Sequence, residues 1–168
     1  LFKDCSPAIP HFQVKTVADM SPEYLWEQGI RAVIFDKDNT ITAPYVNEIY
    51  PTLQEVVLQF QQEFGDSMKI LSNSAGTNDD TNFRDADQIE KELGISVIRH
   101  SQKKPLGIEA VLDKFGCNPE EIMMVGDRLL TDILFGNNAG MLTVHTEILT
   151  TQNDNKPAMV ARKFENAQ

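Results

Sequence analysis

Two carboxylates one residue apart, Asp36 and Asp38 in Phe35-Asp36-Lys37-Asp38-Asn39-Thr40, are the first residues whose types and spacing could do chemistry. Acids this close repel unless a cation or a shared proton offsets their charge. They follow Ala32 to Phe35, an apolar, β-prone run that reads as a buried strand. In an open α/β sheet ligands sit beyond the carboxyl ends of strands, so a metal and a substrate could both reach these acids. The structural alternative is a plain turn, since Asp and Asn often start one. Three further groups recur in order: Ser72-Asn73, Lys103-Lys104, and Gly126-Asp127 with Asp132 soon after. Each alone has a bland reading, as a strand stop, a solvated pair and a helix cap respectively. Chance places one polar group after a strand more readily than four sets in order.

The elements that must hold these residues can be read from periodicity and punctuation. Ser21-Pro22-Glu23 opens a short helix, with serine as N-cap and proline at the first helical position, and Gly29 ends it. After the acids, residues 41–51 form a loop or small hairpin. Thr52-Leu53-Gln54-Glu55 reads as a capping box for a helix through Leu53, Val56, Val57, Phe60 and Phe64, stopped at Gly65. A second strand spans Met68 to Leu71. A helix covers about Asp85 to Leu93, and a third strand spans Ile95 to Ile98 and ends at His100. Pro105 begins a helix ending at Gly116, and a fourth strand spans Ile122 to Val125. A short helix over Thr131 to Asn138 and a fifth strand over Leu142 to His145 follow. Strands alternating with helices predict an α/β, three-layer Rossmann-like fold with a mostly parallel central sheet. Neither the Asp36–Ser72 interval nor the Ser72–Lys104 interval holds a cap domain beyond the helix and strand already assigned.

The 168 residues suffice for one domain with a real core. We divide them into an N-terminal arm (1–20), a core (21–150) and a polar tail (151–168) in which a weak helix is expected after Pro157. The arm reads as packed on the domain. Its interleaved Leu1, Phe2, Ile9, Phe12 and Val14 leave membrane docking as the alternative. A formal charge of -10 argues against a nucleic-acid partner and gives an anionic membrane no general attraction. Cys5 and Cys117 form neither a disulfide framework nor a metal-ligand pattern and read as unpaired thiols. No apolar stretch approaches the roughly 18 residues of a membrane-spanning helix. No targeting peptide is visible; the chain begins at Leu1, so that absence carries no conclusion.

The ordered set Asp36-Lys37-Asp38-Asn39-Thr40, Ser72, Lys104 and Gly126-Asp127-Arg128-Leu129-Leu130-Thr131-Asp132 resembles the haloacid-dehalogenase-like hydrolase superfamily. The resemblance covers roughly residues 30–146 and implies a phosphatase. Asp36 would attack phosphorus and form an aspartyl-phosphate, and Asp38 would act as general acid and then base. Asp36, the backbone carbonyl of Asp38 and Asp127 would hold Mg²⁺. Ser72, Asn73 and neighbouring backbone N–H groups, with Lys104, would bind the phosphate. Asp132 would sit behind them, orienting a metal water or Lys104.

The wording Lys-Asp-Asn-Thr, Ser72-Asn73-Ser74-Ala75-Gly76 and His100-Ser101-Gln102-Lys103-Lys104-Pro105 is similar to the phosphatidylglycerophosphate phosphatase family, in its eukaryotic mitochondrial branch. That narrower resemblance implies removal of the terminal phosphate to give phosphatidylglycerol, on the route to cardiolipin. It further implies a phospholipid substrate at a membrane surface, peripheral contact without a transmembrane helix, and the matrix side of the inner mitochondrial membrane, with a bacterial cytoplasm or a plastid as the alternative settings. Two rivals stand beside it: a capless phosphatase for a soluble sugar phosphate or phosphoprotein, and a non-catalytic scaffold on the same fold.

Overall fold

The apolar runs form six parallel strands: β1 (Phe12–Val14), β2 (Ala32–Phe35), β3 (Met68–Ile70), β4 (Ser96–Val97), β5 (Ile122–Gly126) and β6 (Leu142–Thr146). A computed structural model of the chain describes residues 6–152, 163–165 and 167. The strand order is β1-β6-β5-β2-β3-β4. Every position of β2 and β5 is buried, as expected of central strands covered on both faces. Side chains alternate across the sheet, so one strand feeds two cores. Val33 and Phe35 join Met123 and Val125 on one face, under α2 (Gln54–Phe64) and α3 (Arg84–Leu93). Ala32 and Ile34 join Ile122 and Met124 on the other, under α4 (Ile108–Leu112) and α5 (Leu134–Asn138). Phe35 and Phe60 meet edge-to-face at 5.1 Å, pinning α2 to the central strand.

The chain runs from β2 outward to β3 and β4, then crosses back to β5 on the other side of β2. Connectivity thus reverses between β2 and β5, and a crevice opens at their carboxyl ends. The predicted three-layer α/β architecture without a cap is what the described residues show.

Four local expectations are corrected. The sheet has six strands, because Phe12–Val14, within the segment read as an arm, pair with β6. The box at Thr52 does not form; Pro51–Leu53 make a 3₁₀ turn and α2 has no side-chain cap, since proline at the turn's start already sets its φ. Pro105 does not begin a helix: it follows a cis Lys104–Pro105 bond, and α4 starts three residues later, after Gly107 at φ +79°. The helix expected from Thr131 is entered through a π-helical turn, Leu129–Ile133. By contrast, Ser21 caps α1 (Pro22–Glu27) as read, accepting from Tyr24 N. Leu1, Phe2, Cys5 and the segment after Pro157 up to residue 162 lie outside the described residues; 163–165 are helical.

Candidate functional site

Asp36 is the first residue past β2, and its N–H extends the ladder by donating to Val125 O at 2.9 Å. Its carboxylate is therefore fixed by the two central strands. Asp127 is the first residue past β5, next to it across the crevice. One carboxylate oxygen from each of Asp36, Asp127 and Asp132 lies within 4.8 Å of the others, a cluster that can hold a metal ion.

Lys104 reaches this cluster from the loop after β4. Its Nζ donates to Asp132 Oδ1 at 2.6 Å, to Leu71 O at 2.7 Å and to Asp36 Oδ1 at 2.9 Å, with the side chain only 2% exposed. Burial works against the ammonium, but the Asp132 and Asp36 carboxylates outweigh it and hold the amine protonated far above its ordinary range. Asp132 is 1% exposed. Burial and then the Asp36 charge raise its carboxyl from 3.8 to about 6, against the pull of Lys104 and of Arg128 N–H. Gly126 makes this approach feasible, since a Cβ there would land inside the Asp132 carboxyl group.

The loop carrying Lys104 is stapled over the end of β3. Asn73 Oδ1 accepts from Lys104 N at 2.8 Å, and Asn73 Nδ2 donates to Lys104 O at 3.2 Å. Both ends of its amide thus hold the lysine's backbone. His100 adds a second staple, with Nε2 2.8 Å from Ser72 O and Nδ1 2.7 Å from Gln102 O. Ser72 Oγ accepts from Ser74 N and Ala75 N and lies 3.0 Å from Ser74 Oγ, closing the turn that follows β3.

Asp38 stands apart from the carboxylate cluster. Its Oδ1 accepts from Lys37 Nζ at 2.9 Å and from Tyr45 N at 3.3 Å, leaving the side chain 25% exposed at the mouth.

Several contributors escaped the sequence reading. Lys37, buried, fixes Asp38 and also bonds Thr42 Oγ1 and Val46 O. A lysine wedged between two acids was the available signal. Thr40 Oγ1 donates to Asp127 Oδ1 at 3.4 Å, and His145 Nε2 donates to Asp127 O at 3.0 Å. Asn39, at φ +61°, accepts from Leu149 N and Thr150 N and so ties the loop after β6 to the loop after β2. Nothing local in the sequence marks those long-range partners.

The sequence model of the family described as mitochondrial PGP phosphatase matches residues 1–150. The chain belongs to that family. Phosphatidylglycerophosphate phosphatase 1, chloroplastic/mitochondrial, of Arabidopsis thaliana is 44% identical over 150 residues, which cover 88% of this chain and 43% of that protein. The mitochondrial phosphatidylglycerophosphatase of Saccharomyces cerevisiae is 39% identical over 118 residues, covering 67% of this chain and 64% of its own. The chain thus spans about half the length of these curated relatives. A crystal structure of an uncharacterized protein from Listeria monocytogenes serotype 4b superposes with a TM-score of 0.51 at 18% identity, over 75% of this chain and 85% of that one, a likeness of fold. The resemblance drawn from the Lys-Asp-Asn-Thr, Ser-Asn-Ser-Ala-Gly and His-x-x-Lys-Lys-Pro wording is borne out by the family match.

Proposed function

We propose that this chain carries the active site of a Mg²⁺-dependent phosphatidylglycerophosphate phosphatase, which hydrolyses the terminal phosphate monoester to give phosphatidylglycerol. The observation that carries this reading is the convergence of Asp36, Asp127, Asp132 and Lys104 from separate strand ends at the β2–β5 crevice. Family membership supplies the substrate class, and the names of the relatives support a mitochondrial setting.

An Asp36 oxygen attacks phosphorus while Asp38 protonates the departing glycerol oxygen, leaving an aspartyl-phosphate. Asp38, now a carboxylate, takes a proton from water; the water oxygen attacks the same phosphorus, and inorganic phosphate leaves with Asp36 regenerated. Lys37, 2.9 Å away, holds the Asp38 carboxylate in place at the mouth. Lys104 neutralises charge on the transferring oxygens, and the Ser72 hydroxyl, 3.0 Å from Ser74 Oγ, can donate to a phosphate oxygen. Asn73 acts by holding Lys104. The donor set fits Mg²⁺: all oxygen, with three carboxylates against one ammonium. Asp36, Asp127 and the Asp38 carbonyl would hold the ion, with Asp132 behind them. When bound it would supply positive charge between the anionic nucleophile and the anionic phosphate.

The test compares phosphate release from phosphatidylglycerophosphate in mixed micelles with release from sugar phosphates, a phosphopeptide and an aryl phosphate, with Mg²⁺ and with EDTA. Preferential, Mg²⁺-dependent release from the lipid is expected. Turnover confined to soluble esters would move the assignment to the soluble rival, and no turnover of any ester with Mg²⁺ would leave a scaffold.

A further inference from the structure

Large apolar side chains stand in water on every loop that leaves the carboxyl end of β2 through β6. They are Tyr45 and Val46 after β2, Phe83 after β3, Leu106 after β4, Leu130 after β5 and Ile148 after β6. All five strands are parallel, so these loops emerge at one edge, around the crevice that holds the carboxylates. The large apolar side chains Ile9, Phe12, Tyr24, Trp26 and Leu58 are also exposed, but lie on the N-terminal segment, β1, α1 and α2 rather than on these loops. Tyr45 and Phe83 are held at φ +60° and +55°. That conformation is unusual for bulky residues, and such strain gathers at functional sites.

We propose that this rim is a bilayer-docking surface that sets the crevice against the membrane; the inference rests on the lipid-phosphate reading above and names the face that meets the lipid. The apolar tips are spread around a mouth over five loops, which suits a planar interface better than a peptide in a groove. Charges between the tips are of both signs: Arg84, Lys103 and Arg128 against Glu48, Asp79, Asp85 and Glu147. With a net charge of -10, attraction to anionic lipid does not hold the chain there. Mixed signs beside apolar tips complement zwitterionic headgroups, with insertion of the tips supplying the affinity. The N-terminal Ile9 lies beside Gly140 and Met141, at the opposite edge, so it cannot share that plane.

The test uses the full chain and its Leu106→Ser/Leu130→Ser/Ile148→Ser variant. Leu106 is 62% and Leu130 47% exposed, so the fold should survive. Co-sedimentation with phosphatidylcholine vesicles at high salt should fall about tenfold in the variant. Turnover of vesicle-embedded substrate should fall in parallel, while a dispersed short-chain substrate is hydrolysed within about twofold of the parent rate. Unchanged sedimentation would overturn the proposal. So would a shift in oligomeric state by light scattering with vesicle binding intact, which would make the rim a face between copies. A parent protein that binds vesicles through the rim but hydrolyses neither substrate would refute the phosphatase reading and leave the docking surface standing.

Discussion

Replacing Lys104 with Met removes the one ammonium that faces both Asp36 and Asp132 while keeping most of the side chain's volume. Three hydrogen bonds disappear, and Asp132 keeps its contact with Arg128 N in a nearly sealed environment. Removing one partner of a buried ion pair costs roughly 3–5 kcal/mol. Protonation sets a ceiling on the Asp132 share. A carboxyl with an ordinary pKa of 3.8, held neutral at pH 7, costs about 4 kcal/mol at ~1.4 kcal/mol per pH unit. The melting temperature should therefore fall by roughly 8–16 °C for a chain of this size. The pH dependence carries a distinct signature. In the parent, the folded-state pKa of Asp132 is raised to about 6, so the folded chain keeps a proton that the unfolded chain releases. Its contribution to stability then falls as pH rises from 3.8 to about 6 and is level above that. Without the ammonium the carboxyl rises further, so the variant goes on losing stability above pH 6, by up to ~1.4 kcal/mol per unit. Urea unfolding of EDTA-treated protein between about pH 5 and pH 8 measures the widening gap. Lys104→Met/Asp132→Asn should regain stability, because no buried carboxylate is left without its cation, yet remain inactive. A gap that is constant with pH, or a double variant no more stable than the single, would refute the reasoning.

Asp36→Asn should lower turnover at least about a thousandfold while shifting the melting temperature by only a few degrees, read by phosphate release beside calorimetry. Gly126→Ala should cost about 1–3 kcal/mol and much of the activity, because the new methyl must displace the Asp132 carboxylate; unfolding and rate assays on one preparation check both. Burial pushes the Asp80 carboxyl up, but N–H donors from Gly76, Asp85 and Ala86 and the charge of Arg99 outweigh it and hold it below 3.8. Its stabilisation is present above 3.8 and lost as pH falls through the lower folded value. Asp80→Asn should therefore cost about 1–3 kcal/mol near neutral pH, with the difference shrinking below about pH 4 in denaturant titrations.

The sequence was most informative where a pattern has a local physical cause. The run Ala32–Phe35 matched β2 residue for residue, because a fully buried strand must be apolar at every position. Gly65 and Gly94 ended their helices as read, since both occupy positive φ. Long-range pairing was opaque. Phe12–Val14 were read as part of a packed arm and not as a strand, because three residues are too few to display alternation, and only β6 makes them one. Asn73 gave no sign of its backbone partner: an amide at a strand end can serve a phosphate or a backbone equally, and Lys104 lies 31 positions away. Lys37 reads as solvated in any hydropathy pattern, and its burial depends on Thr42 and Val46 folding back over it.

The site divides its groups between two kinds of support. Asp36 and Asp127 extend from adjacent central strands, so the sheet ladder itself sets their separation. They are far apart in sequence only because the chain visits β3 and β4 before recrossing to β5. Lys104 has no such support: β4 is two residues long at the sheet edge, and the loop beyond it must bend inward across the end of β3 to reach Asp36. Asn73 and His100, both anchored at that strand end, supply the bend. The carboxylates thus inherit their geometry from the fold, whereas the cation inherits it from two side-chain staples. Changes to Asn73 or His100 would therefore move the charge balance of the crevice while leaving the sheet intact, which makes those staples the place where activity and stability separate most cleanly.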